Sequence, residues 1–266
     1  MCLMVIALGR HPDFPFVLAG NRDEFHARPT LAAHRWVDRP GIIAGRDVEK
    51  GGTWLGISAR GALATVTNYR DPARRVPDAR SRGLLVSDFL DSADHACANH
   101  YVAHRVAEGD RHDGFNLIAA DASGVWYGSN RGGLRRLESG LHALSNHLID
   151  TPWPKSERLR RNVARALDLE GSGDCLVDTL FDALADRTPV ADADLPSTGV
   201  PIDWERRLST AFIVSPEYGT RSSSVVTVTR DGQLRFEERS FDALGAEAGR
   251  VVIDVRLSNP IDVQPG

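Results

Sequence analysis

The chain has 266 residues, 42% of them hydrophobic and 26% charged, with a net charge of −4 and an isoelectric point near 6.1. That balance gives no basic field for nucleic acid, and no apolar run approaches the roughly 18 residues of a membrane-spanning helix. Three scattered cysteines, Cys2, Cys97 and Cys175, do not make a disulfide framework. CxxC pairs, HExxH, a Walker A loop and GxGxxG are absent, which removes zinc ribbons, zincins, P-loop enzymes and dinucleotide folds. Met1 leads directly into an apolar stretch with no basic leader or cleavage site, which points to the cytoplasm.

In chain order, residues 2–8 (CLMVIAL) and 16–19 are continuous apolar runs around the turn Gly9-Arg10-His11-Pro12-Asp13 and predict strands buried on both faces. Residues 54–58 and 62–68, punctuated by Gly51-Gly52 and Arg60-Gly61, predict a hairpin. The mixed-charge run 70–82 reads as a solvated loop. Ser81 is placed to cap one helix and Asp94 a second that reaches about Glu108. Strands follow at 115–120 and 125–127, and helices at 155–167 and 174–185. The Pro- and Asp-rich stretch 188–201 is a long connection. Strands return at 211–214, 223–229, 233–238 (after the hairpin turn Asp231-Gly232) and 251–255. This order predicts an α+β fold of two sheets with helices outside them, in one domain over residues 1–266.

Position 2 carries the most chemistry. Once methionine aminopeptidase removes Met1, Cys2 places a free amine of pKa about 7.7–8.0 beside a thiol of about 8.5. One residue then supplies both general base and nucleophile. A small residue opening a buried strand fits the same position. Asn21 and Asp23 equally suit an Asx-type turn, Asn146 a strand end and Arg221 a surface ion pair. Trp54, Trp126 and Trp153 read as packing residues, and Ser222, Ser223 and Ser224 as a polar strand start. His100 and His104 lack an evident third ligand and His142 and His147 are poorly spaced, so no metal is expected.

The string Asn21-Arg22-Asp23-Glu24 is followed in order by Gly51-Gly52-Thr53-Trp54-Leu55-Gly56, Thr67-Asn68-Tyr69-Arg70, Ser81-Arg82-Gly83, Leu144-Ser145-Asn146, Trp153-Pro154-Lys155 and Tyr218-Gly219-Thr220-Arg221-Ser222-Ser223. Together they resemble the NRDE family, also called the Transport and Golgi organisation 2 family. The resemblance implies a four-layer αββα fold of the N-terminal-nucleophile (Ntn) hydrolase type. It extends more distantly to the penicillin V acylase and bile-salt hydrolase group, which also opens with Met-Cys. By that likeness Arg22 and Asp23 flank the Cys2 nucleophile, although they are adjacent here and spaced apart in the group. Asn146 and a backbone N–H near Asn68 and Tyr69 become oxyanion donors, and Arg221 the late arginine of the site. The implied activity is hydrolysis or acyl transfer at a non-peptide C–N amide bond of a small molecule, through a Cys2 thioester and without a cofactor. The alternative is a non-catalytic carrier of haem or of lipid and acyl-CoA groups, with Cys2 as a soft ligand for haem iron.

Overall fold

The structure is a computed structural model and describes residues 2–58, 60–92, 97–169, 173–259 and 261–263. In chain order the elements begin with strands β1 (Cys2–Leu8), β2 (Phe16–Phe25), β3 (Thr30–Arg35), β4 (Ile42–Asp47), β5 (Leu55–Ser58) and β6 (Leu63–Asn68). Helices α1 (Gly83–Asp91) and α2 (Ala98–Ala107) follow, then β7 (Phe115–Asp121), β8 (Gly124–Ser129), β9 (Gly133–Arg136) and β10 (Gly140–Leu144). Helices α3 (Pro154–Leu169), α4 (Gly173–Leu184) and α5 (Ile202–Arg207) lead into β11 (Tyr218–Val228), β12 (Gln233–Phe241) and β13 (Glu247–Arg256).

Among the described residues the strands form two antiparallel sheets, ordered β10-β1-β2-β11-β12-β13 and β3-β4-β5-β6-β7-β8-β9. Their facing sides share one core, with Ile6, Leu18 and Phe236 from the first sheet against Ile57, Leu63 and Ile118 from the second. Helix α3 presents Leu159, Val163, Ala166 and Leu167, spaced to form one helical face, to the outside of the first sheet. Pro154 opens that helix, where its missing N–H has no helical partner to lose. Helices α1 and α2 cover the second sheet. The result is the four-layer αββα arrangement. Strand β1 is buried along its whole length because it lies inside the first sheet, with core on both faces.

Opposed residues of antiparallel strands share a face, so the register defines rows across β1, β2, β11 and β12. They run Leu8–Phe16–Val228–Leu234, Ile6–Leu18–Val226–Phe236, Met4–Gly20–Ser224–Glu238 and Cys2–Arg22–Ser222–Ser240. The inter-sheet face therefore passes from apolar to polar towards Cys2.

Some expectations are corrected. Asn21-Arg22-Asp23-Glu24 lies inside β2, with no turn. Asn21 tolerates burial there because its Nδ2 donates to the carbonyls of Leu184 (2.9 Å) and Ala211 (2.8 Å). Residues 211–213 are buried and Val214 is exposed, and none joins a sheet; Thr220 Oγ1 and N bond to the Ile213 backbone instead, at 2.9 Å each. Ser81 makes no side-chain cap; its carbonyl accepts from Leu84 N (3.2 Å), and Arg82 holds the cap position. Asp94 lies outside the described residues. The run 70–82 is not wholly solvated, since Arg70 is only 6% exposed and pairs with Glu205 at 2.8 Å. Strands β3, β4 and β9 and helix α5 were not anticipated, and β10 only through the reading of Asn146 as a strand end. No helix among the described residues is long and apolar enough to cross a membrane.

Candidate functional site

Cys2 stands at the polar end of the inter-sheet face, 8% exposed. Burial pushes its thiol above the ordinary cysteine range and the nearby Asp23 charge adds to this, while the Arg22 charge and a backbone hydrogen bond from Asp23 oppose it. A cleft of about 260 Å³ opens on the thiol and is bordered by Arg22, Asp23, Trp54, Asn68 and Arg82. Arg22 lies opposite Cys2 in the ladder and opposite Ser222 on its other side. Its guanidinium stacks on the Trp54 ring at 4.3 Å.

Adjacent residues of a strand point to opposite faces, which explains how Arg22 and Asp23 divide the site. Arg22 projects between the sheets beside the thiol. Asp23 projects from the outer face and, in the antiparallel register, lies next to the N-terminal side of Cys2. Thr220 Oγ1 donates to Asp23 Oδ1 (2.8 Å), and Tyr218 Oη donates to the Asp23 carbonyl (3.0 Å). Burial raises the Asp23 carboxyl, and the charge of Lys155 pulls it back down. Lys155 is itself buried, donates to the Leu208 carbonyl at 2.8 Å, and is pushed down to about 8 by burial, with the neighbouring Arg70 charge adding to the effect.

Asn146 is fully buried behind the cleft. Continuing the β1–β10 register by two residues from Met4 opposite Leu144 sets Asn146 opposite Cys2. Asn146 Nδ2 donates to the Asn68 carbonyl (3.0 Å), and Ser145 Oγ donates to the Cys2 carbonyl (3.2 Å). Thr67 Oγ1 donates to the Ser145 carbonyl (2.7 Å), and Asn116 Nδ2 to the His147 carbonyl (2.9 Å). These bonds tie segment 145–147 to both sheets. The Tyr69 N–H is committed to the Gly114 carbonyl at 2.9 Å.

Cys2, Arg22, Asp23 and Asn68 thus border one cleft, and Asn146 is bonded to its wall. Arg221 is not part of that lining. A bulge between Thr220 and Ser222 drops it from the ladder and re-aims its side chain. Its Nη1 faces the carbonyls of Phe25 (3.2 Å), His26 (3.0 Å) and Arg28 (3.4 Å). Sequence reasoning assigned no role to Arg82 or Lys155, although both lie in the strings Ser81-Arg82-Gly83 and Trp153-Pro154-Lys155. Two glycines bring the first of these strings to the cleft. A Cβ on Gly52 would run into the Gly83 backbone, so only glycines let this loop and the start of α1 cross, where Thr53 N donates to the Gly83 carbonyl at 3.2 Å.

Fold and cleft together define an αββα protein with a cysteine at the head of a central strand, opening on a charged cleft. The Transport and Golgi organisation 2 family matches residues 1–243, and the chain belongs to that family. It is 36% identical to a Transport and Golgi organization protein 2 homolog from Bos taurus, over 94% of this chain and 96% of the relative. The Mus musculus homolog is 35% identical over 90% and 93%. Among solved structures, a Caenorhabditis elegans ortholog of N-acylethanolamine-hydrolyzing acid amidase aligns over 84% of this chain and 92% of its own, with 12% identity and a TM-score of 0.44.

Proposed function

We propose that the chain is an N-terminal-nucleophile hydrolase or acyltransferase for a non-peptide C–N amide bond, with Cys2 as its nucleophile after Met1 is removed. The observation that carries this reading is the position of Cys2, at the end of a buried strand with Arg22 on its thiol side and Asp23 on its nitrogen side. A thiol raised by burial is protonated at neutral pH, so attack requires a base within reach. The free α-amine of the same residue is that base. It takes the thiol proton as sulfur adds to the amide carbon, and returns a proton to the leaving nitrogen as the C–N bond breaks. Water then hydrolyses the thioester, or an acceptor amine takes the acyl group. In this reading Asp23 orients the ammonium, Lys155 keeps Asp23 charged, and Asn68 with the second amide hydrogen of Asn146 donates to the oxyanion.

Three samples test it: protein beginning at Cys2, protein with Met1 retained behind a blocking tag, and Cys2→Ala. Only the first should react quickly with an electrophilic acyl probe near neutral pH, at a rate that rises roughly between pH 7 and 8 as the amine loses its proton. The tagged protein should label slowly, and Cys2→Ala only at Cys97 or Cys175. Equal labelling and turnover with and without Met1 would refute the mechanism.

A further inference from the structure

We propose that the Cys2 cleft selects amides bearing an oxyanion group, a carboxylate or a phosphate, and that Arg22 and Arg82 hold that group. The proposal rests on the hydrolase reading for the bond that is cut, but not for the anion that is bound.

Arg22 is only 6% exposed, yet its buried Nη1 has no hydrogen-bond partner among the described residues. Trp54 covers one face of the guanidinium and leaves the in-plane N–H groups uncovered. A buried cation without a counter-ion is strongly disfavoured, so a site that keeps one has a use for it. Arg82, on the same cleft, donates from Nη1 to the Gly114 carbonyl at 3.1 Å. Among the described residues neither arginine has a carboxylate at ion-pairing distance. Burial lowers the Arg82 guanidinium below its usual range, and the more distant charges of Asp113 and Glu24 only partly oppose this.

The cleft wall also carries the acids Asp23, Glu24, Asp47 and Asp113, and each already accepts a hydrogen bond from within the protein, Asp23 from Thr220 Oγ1 at 2.8 Å. Asp47 pairs with Arg28 at 2.7 Å and accepts from the Glu49 and Lys50 backbone at 3.0 and 3.2 Å. Asp113 accepts from Val76 N at 2.9 Å, and Glu24 from Phe25 N at 2.9 Å. Glu238, one row further in, accepts from Ala33 N at 2.7 Å and is pushed up to about 7 by burial. The Cys2 thiol is protonated and supplies no charge. Two planar guanidinium forks with free in-plane donors match an oxyanion, which accepts bidentate hydrogen bonds.

The experiment measures binding without chemistry, by calorimetry on full-length Cys2→Ala at constant ionic strength, with succinamate, neutral succinamide and inorganic phosphate as probes. Succinamate should bind at least about tenfold tighter than succinamide, as expected when a buried charge gains its partner. The gap should close in the added variant Arg82→Gln and partly persist in Arg82→Lys, which keeps the charge but loses the fork. Phosphate that displaces succinamate and binds more tightly assigns the site to phosphate; weaker competition assigns it to carboxylate. Equal affinities for the two amides, a gap undiminished in Arg82→Gln, or no binding of either anion overturns the proposal. Selective binding without turnover by the protein beginning at Cys2 removes the hydrolase reading alone. Turnover of neutral and anionic amides at equal rates removes this proposal alone.

Discussion

The two ends of the inter-sheet face are built from the same four strands in the same register, and they do opposite work. At one end the rows through Leu8 and Ile6 contain only apolar side chains. At the other end Cys2, Arg22, Ser222, Ser224 and Glu238 occupy equivalent positions, nearly as deeply buried. Fully burying one large apolar side chain contributes about 1.5–3 kcal/mol, and leaving one buried polar group unpaired costs about 1–3 kcal/mol. The two ends are therefore comparable in size and opposite in sign. A strand that carries a reactive site at one end is tolerated because its other end is ordinary core. The sharpest way to break this comparison is Phe236→Ala at the apolar end. It should lower stability by about 3–5 kcal/mol in denaturant unfolding and leave the reactivity of Cys2 per folded molecule unchanged. Loss of reactivity in the molecules that remain folded would show that the two ends are coupled.

Glu238 tests the polar end through pH. Its ordinary value is 4.5, and burial raises it to about 7 in the folded protein, opposed by the Ala33 N–H and the Arg22 charge. Because the folded value is the higher one, its contribution to stability is fully present below about pH 4.5 and is lost as pH rises through about 7. At about 1.4 kcal/mol per unit, the change across that window is on the order of 3 kcal/mol. Glu238→Gln should remove that slope. Unfolding free energies measured from pH 4 to 8 for both proteins check this, and parallel curves would show that Glu238 is not the group responsible.

Asn146 is buried like a core residue and bonded like a residue of the cleft wall. Asn146→Ala removes the bond to the Asn68 carbonyl and orphans that acceptor, so stability should fall by about 1–3 kcal/mol. On an amide substrate the same variant should lower kcat by on the order of 10²–10³. A stability loss with unchanged kcat would leave Asn146 a purely structural clamp.

What could be read from the sequence follows from which signals are local. The apolar run of β1 and the helical spacing of α3 are local, and both were legible. Strands β3 and β4 were not, because β3 is an edge strand of mixed exposure whose ladder partner lies beyond a turn. Asn21 and Asp23 suggested a turn because buried polar residues inside a strand look like loop residues until their distant partners, Leu184, Ala211 and Thr220, are known. Of the residues that border the cleft, Arg22, Asp23 and Asn68 were singled out through their strings and Cys2 through its position after Met1. Arg82 and Lys155 were not given roles, since arginine and lysine are mostly exposed, and only the crossing of Gly52 over Gly83 half-buries the first and the packing of α3 buries the second. Arg221 shows the converse, because one bulge redirects a side chain with no mark in the sequence.

Arg221 also supplies the smallest expected effect and the finest test of where the site ends. Its guanidinium is partly exposed and gathers the carbonyls of Phe25, His26 and Arg28, which fixes the chain as it leaves β2. Replacing it by glutamine removes charge-assisted hydrogen bonds that water can partly replace, so the loss of stability should be about 0.5–1.5 kcal/mol. Its charge sits on the same strand end as Arg22, and burial together with the Arg22 charge lowers it below its usual range. Removing it should therefore relieve Arg22 slightly and change the Cys2 labelling rate by no more than a few fold. Labelling with the acyl probe and thermal unfolding, run on Arg221→Gln beside Asn146→Ala, separate the two roles. If Arg221→Gln lost labelling a hundredfold at unchanged stability, Arg221 would touch the reacting atoms, and the side chain would have to leave the carbonyls it now holds.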